Sequence, residues 1–189
     1  MPNWCYNNVF VSHESPEVLA GLVESFNKGG FCNHIAPMPQ ELRESGAPAR
    51  DDIADANEKK YGYTDWYSFA VDEWGVKWDV GDEEGSLFEN DEATEAALTF
   101  DSAWGPPIKI YSKMEELGYK VDAFYYEPGC GFCGRWVNGE EHYYDWGTSK
   151  EEWKNFLESV ENDEHFQAIN EEFGMVADIN NSFEEEEER

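Results

Sequence analysis

Aromatic and β-branched residues crowd residues 3–12 (NWCYNNVFVS), a composition that predicts an opening strand. The apolar spacing then becomes helical. Val18, Leu19, Leu22, Val23 and Phe26 share one helical face, Ser15 and Pro16 mark the helix start, and Gly29-Gly30 marks its end. No period survives between 37 and 60, which predicts an inserted loop with at most one helical turn. Tyr61–Glu73 predicts a short helix, and Val76–Val80 a strand ahead of an acidic turn, Gly81–Gly85. Ala93–Phe100 predicts another strand, because Ala103-Trp104-Gly105-Pro106-Pro107 looks like a strand exit into a helix running to Leu117.

Tyr119–Tyr126 alternates as a strand. Phe132–Val137 and Glu141–Trp146 flank Asn138-Gly139, the strongest short hairpin signal. Ser149 with Glu152 forms a capping box for one helix of about 20 residues carrying Trp153, Phe156, Leu157, Val160, Phe166 and Ile169. Glu184–Glu188 predicts a solvated, flexible tail. The order β-α-(insert)-β-β-α-β, then hairpin and helix, is the split β-α-β or ferredoxin-like arrangement, an α+β fold. It predicts a domain over 1–147 with an insertion at 37–75, an acidic helical extension over 148–180 and a tail over 181–189.

Charge changes that picture. Asp and Glu number 42 against 13 Lys and Arg, a net −29, and residues 41–100 and 151–189 each sum to −12. Phosphate binding needs clustered cations, so the balance argues against binding of DNA, RNA or an anionic membrane, and for a basic partner protein. No run approaches the ~20 apolar residues of a membrane span, and the N-terminus lacks a signal-peptide pattern. A reducing cytoplasm is therefore expected, with the cysteines as thiols rather than a disulfide framework.

Five phrases occur in order: Met-Pro-Asn-Trp-Cys at 1–5, Pro-Met-Pro-Gln-Glu-Leu at 37–42, Trp-Gly-Val-Lys-Trp-Asp at 74–79, Ala-Trp-Gly-Pro-Pro at 103–107 and Glu-Pro-Gly-Cys-Gly-Phe-Cys-Gly at 127–134. Together they resemble the YubB-like ferredoxin-like family of bacteriophages and conjugative plasmids over residues 1–147. The resemblance implies an accessory protein of a mobile element, working in the host bacterial cytoplasm, and supplies no activity. Val76, Cys130 and the acidic C-terminal extension depart from the family pattern.

Candidate chemistry is sparse. Cys130 and Cys133 form a lone CxxC. Cys5 and Cys32 complete a thiolate zinc site only if the fold brings all four to ~2.3 Å from one ion; the alternative is packing, and no metal or cofactor is expected. Trp74, Lys77, Trp78, Asp79, Trp104 and Glu127 suggest an aromatic pocket with a cation, either a ligand or catalytic site or core residues with Lys77 paired to Asp79 or Glu127. No phosphate loop, nucleophile elbow or dinucleotide fingerprint appears, so a non-enzymatic role is favoured.

The remaining candidate is the charge itself. Over ~9,000 Å² of surface, −29 is one net charge per ~320 Å², against roughly one per 110 Å² for duplex DNA. Mimicry of nucleic acid, for example to inhibit a restriction or CRISPR-type defence nuclease, therefore requires gathered carboxylates; the alternative is solubility. The nominated partner-binding residues are Glu151, Glu152, Glu158, Glu161, Asp163, Glu164, Glu171 and Glu172 in the extension, with Asp82, Glu83 and Glu84 in the turn.

Overall fold

The computed structural model describes residues 3–187, with side chains through 184. β1 (Trp4–Ser12) leads into α1 (Pro16–Asn27), whose N-cap Ser15 accepts from the Val18 amide. Leu19, Leu22, Val23 and Phe26 are buried as their spacing predicts, but Val18 at the first turn is exposed.

The insertion is more ordered than its composition suggests. Just ahead of it lies α2 (Phe31–Ile35), and it holds α3 (Gln40–Arg43), α4 (Asp51–Tyr61) and α5 (Trp66–Phe69), which runs into a π-helical turn, Ala70–Trp74. The expectation of a loop at 37–60 is thus corrected. In α4, Asp51 and Asp52 sit at the N-terminal end and Lys59 and Lys60 at the other, matching the helix dipole, and Gly62 closes it with φ 81°. Only Asn57 is buried, so the helix has no apolar stripe to reveal it.

Val76–Val80 is not a strand. Val76 and Val80 are buried, but the segment is irregular coil tied to α2: Phe31 N–H donates to the Val80 carbonyl at 3.1 Å. The second strand is instead β2 (Ser86–Phe88), followed by β3 (Glu95–Ala103), α6 (Ile108–Glu116), β4 (Lys120–Glu127), β5 (Phe132–Val137) and β6 (Glu140–Asp145). Among the described residues these form one antiparallel sheet in the order β2-β3-β1-β4-β5-β6. β2-β3-β1-β4 is the ferredoxin-like order of the split β-α-β, and the β5–β6 hairpin extends it at one edge.

The predicted terminal helix is three: α7 (Lys150–Ser159), α8 (Glu164–Phe173) and α9 (Met175–Glu187). The break has a local cause. Asp163 takes up a cap conformation and its carboxylate accepts from the His165 and Phe166 amides, starting a new helix; Gly174 ends that one at φ 65°. The expected flexible tail is helical through Glu187, and Arg189 and Glu188 lie outside the described residues.

Register and alternation give each face its cover. Val9, Val11, Leu98, Phe100, Val121 and Ala123 point to one face and pack with α1, α2, α6 and the insertion. Phe124, Tyr126 and Cys133 point to the other, beneath Trp153, Phe166, Ile169 and Met175 of α7–α9. An ion pair holds the insertion to α6: Glu73 of the π turn meets Lys113 and accepts from the Tyr63 hydroxyl. Lys113 first, then Tyr63, hold the Glu73 carboxyl below its ordinary value. Its stabilisation is therefore present above the unfolded value of ~4.3 and lost as pH falls through the lower folded value. Glu73→Gln is expected to cost about 1–2 kcal/mol near pH 7 and to flatten the acid limb of stability; denaturant melts across pH 2–7 measure both.

Candidate functional site: the half-covered face of the sheet

Three helices cannot cover the whole second face. α7–α9 lie over β4, β5 and β6, and Glu172 at the end of α8 reaches only to β1, accepting from Asn8 Nδ2 at 2.8 Å. Beyond that line the outward residues of β1 and β3 are open. Trp4, Tyr6 and Phe10 of β1 are 45%, 44% and 38% exposed, and Leu87 of β2 is exposed beside them. Exposed aromatics aligned on a strand are an unusual use of apolar surface in a chain this charged.

The β1 row joins three hollows. Tyr6 lines one of about 530 Å³ with Tyr126, Cys130, Trp146 and Phe183. Trp4 lines one of about 300 Å³ with Trp78, Asp82 and Asp101, and Phe10 one of about 440 Å³ with Glu89, Glu95 and Asp122. Aromatic pairs fix the row to the covered half: Tyr6 with Tyr126 at 6.3 Å and Phe10 with Phe124 at 6.1 Å between ring centres.

Charge borders the strip on both sides. Residues 81–108, which build the β2–β3 edge and its turns, contain eight acids and no Lys or Arg. Residues 155–184, in the covering helices, likewise contain eight acids and no Lys or Arg. Averaged over 10745 Å² the net −29 is one charge per about 370 Å², more dilute than expected, so the local banks carry the argument.

The nominated acids divide by what they touch. Glu151, Glu158, Glu161 and Glu171 are exposed, as are Asp82, Glu83 and Glu84 in the turn beside Trp78. Glu164 is exposed at the start of α8, 4.0 Å from His165. Glu152 closes the Ser149 capping box, and Glu172 holds Asn8. Asp163 accepts from the Tyr144 hydroxyl at 2.7 Å besides capping α8; burial works to raise its carboxyl, but these donors outweigh it and hold it below the ordinary value. Glu152, Glu172 and Asp163 thus serve the fold; the capping box revealed that role for Glu152 in the sequence, and nothing there revealed it for the other two.

The aromatic–lysine pocket does not assemble as one site. Trp74 is buried and donates Nε1–H to the Ala36 carbonyl at 2.8 Å. Lys77 shares one hollow with Trp74, Trp78 and Asp79 and a second with Tyr67 and Trp104, while Glu127 joins neither. Glu127 is buried at the far end of β4, accepting from the Gly129 and Cys130 amides. Lys77 is not paired with Asp79 or Glu127; its ammonium lies 4.6 Å over the Trp78 ring and 5.9 Å from that of Tyr67. Asp79 accepts instead from the amides of Cys32, Val80 and Asn33, and burial raises its carboxyl against the lowering effect of those donors. Trp104 leaves β3 with φ 72°, a left-handed conformation uncommon outside glycine, and is exposed.

The cysteines separate as well. Cys5 lies on the face of α1 and α6 and Cys32 in α2, whereas Cys133 points to the opposite face and Cys130 is exposed in the turn before β5. Among the described residues no group of three or more His, Cys, Asp or Glu is placed to hold a metal ion, and no helix is long and apolar enough to cross a membrane. The feature missed in sequence is the β1 row. Its signal was there, in Trp4, Tyr6 and Phe10 at every second position but one, yet nothing showed which half of the face would stay open.

No family model matches the chain, and no curated protein matches it. Among solved structures it is similar to the crystal structure of protein api92 from Yersinia pseudotuberculosis, described under the family model DUF1281, with a TM-score of 0.41 and 10% identity over 79% of this chain and 99% of that one.

Proposed function

We propose that the protein is a non-enzymatic binding module that docks the basic, nucleic-acid-binding surface of a partner protein against the open strip of its sheet. The observation that carries this reading is the strip itself: exposed aromatic residues of β1 between two banks of eight acids, neither bank holding a Lys or Arg. Carboxylates on both sides would steer and orient a cationic surface, while Tyr6, Phe10 and Leu87 supply apolar area for contact. In its sharper form the partner is a host defence nuclease of restriction or CRISPR type, and the banks stand in for phosphates. The resemblance of the five phrases to a phage and plasmid family supports that form.

A capture experiment tests the reading. Immobilised full-length chain is expected to retain nucleic-acid-binding proteins from bacterial lysate at 50 mM salt and to release them to competing duplex DNA or 500 mM salt. Neutralising Asp82, Glu83, Glu84, Glu158, Glu161 and Glu171 as amides should lower retention at least tenfold. Captured proteins indifferent to DNA, or equal capture by the neutralised chain, would refute it.

A further inference from the structure

We propose that the hollow between Trp4 and Trp78 is a receptor for a single arginine side chain of the basic partner. The proposal rests on the docking reading above and adds which side chain is anchored, and where.

The hollow forms because β2 is short. It pairs only with Ala96–Leu98, so the last part of β3 has no strand beside it. The coil after the π turn fills that gap, joined where Thr99 N–H donates to the Gly85 carbonyl at 2.7 Å. This coil carries Trp78 over the edge to face Trp4, which projects from the end of β1. Their ring centres are 6.4 Å apart at an interplanar angle of 39°, a wedge rather than a stack. Both indoles are more than 40% exposed, though each is large enough to gain from burial.

The wedge is chemically suited to a planar cation. Indole presents the best aromatic face for one, and Trp78 already carries the Lys77 ammonium at 4.6 Å. Around the wedge stand Asp79, Asp82 and Asp101. Asp79 is occupied by its three backbone amides, and Asp82 accepts from the Glu84 amide. Asp101 differs: among the described residues its carboxylate makes no hydrogen bond or ion pair, and burial alone raises it above the ordinary value. A carboxylate without a partner, beside two half-exposed indoles, is open to a cation. Guanidinium suits both groups. It stacks on aromatic rings, sheds water more readily than ammonium and offers a flat fork to a carboxylate. Arginine is also abundant on surfaces that hold phosphate.

The test uses the full chain and two probes, N-acetyl-arginine amide and N-acetyl-lysine amide, titrated at low salt while the indole N–H resonances are followed by NMR. The arginine probe should shift the Trp4 and Trp78 signals saturably and bind at least fivefold tighter than the lysine probe. Asp101→Asn and Trp78→Leu, both at exposed positions, should each weaken arginine binding about tenfold with thermal stability unchanged. Equal binding of the two probes, shifts confined to other tryptophans, or an unaltered affinity in Asp101→Asn would overturn the proposal.

Failure here is separable from failure of the docking reading. If DNA-displaceable capture persists while the arginine probe does not bind, the receptor alone is wrong. If the probe binds but capture is indifferent to DNA, the docking reading falls, and with it the assignment of the arginine to a partner.

Discussion

Replacing Trp153 by alanine is expected to release the C-terminal helices from the sheet while leaving the ferredoxin-like body folded. Trp153 is 2% exposed at the centre of the second cluster; its ring meets Trp146 at 5.2 Å and Phe156 at 5.5 Å, and Nε1–H donates to Asn180 Oδ1 at 2.9 Å. One residue thus joins α7, α9 and the segment leaving β6. Truncating a buried Trp costs about 3–5 kcal/mol from lost burial and the cavity left behind. That approaches what three short helices on half a sheet face can hold, because helices of this length are marginal without their packing. The larger core on the other face, around Leu19, Phe26, Leu98 and Met114, shares none of these contacts.

Cys133 reports the outcome. It is fully buried beneath the helices, and burial pushes its thiol up to about 12, so it is inert while they stay docked. In a Cys130→Ser background, which removes the exposed thiol, Trp153→Ala should make one further thiol reactive, at least a hundredfold faster than in the parent. Far-UV dichroism should keep the sheet signal. If labelling is unchanged, the helices are held by more than this cluster; if Cys5 and Cys32 react as well, the two halves unfold as one.

The two faces explain which parts of the molecule could be read in advance. Where one residue row meets the core and the next meets water, as in α1 or β3, spacing alone marks the element and its buried side. α4 escaped because its few apolar residues form no continuous stripe, and only its terminal charges and Gly62 betray it. The segment at 76–80 misled for a different reason. Val76 and Val80 are buried and Trp78 is not, an alternation that is correct for burial; what makes a strand is a neighbouring strand for its backbone groups, and here Asp79 accepts from the Val80 N–H while the Phe31 N–H of α2 donates to the Val80 carbonyl. The second helix start at Asp163 was hidden because the apolar period continues across it. For the site, residue types pointed to Trp78 and to the acids. Which carboxylates are tied into caps, and which half of the second face stays bare, depend on contacts between residues 164 positions apart, such as Asn8 with Glu172.

Asp79 is where the body of the fold and the proposed arginine receptor meet. Its Oδ1 accepts from the Cys32 amide at 2.7 Å and the Val80 amide at 2.9 Å, and its Oδ2 from the Asn33 amide at 3.1 Å. One side chain therefore satisfies the start of α2 and the bend that presents Lys77 and Trp78. Asp79→Ala leaves three amides without an acceptor in a half-buried setting, and at about 1–3 kcal/mol for each buried unpaired group, moderated by water, a total near 3–4 kcal/mol is expected. Asp79→Asn should cost about 1–2 kcal/mol, because one oxygen remains for two donors while the amide nitrogen meets the Asn33 N–H with no acceptor. Denaturant unfolding measures both losses. Below its unfolding midpoint the alanine variant should also lose the Trp4–Trp78 contact, read as a shift of both indole N–H resonances toward free tryptophan, whereas asparagine should preserve it. Equal stabilities for the two variants would mean that the coil is held by burial of Val76 and Val80 and not by the carboxylate.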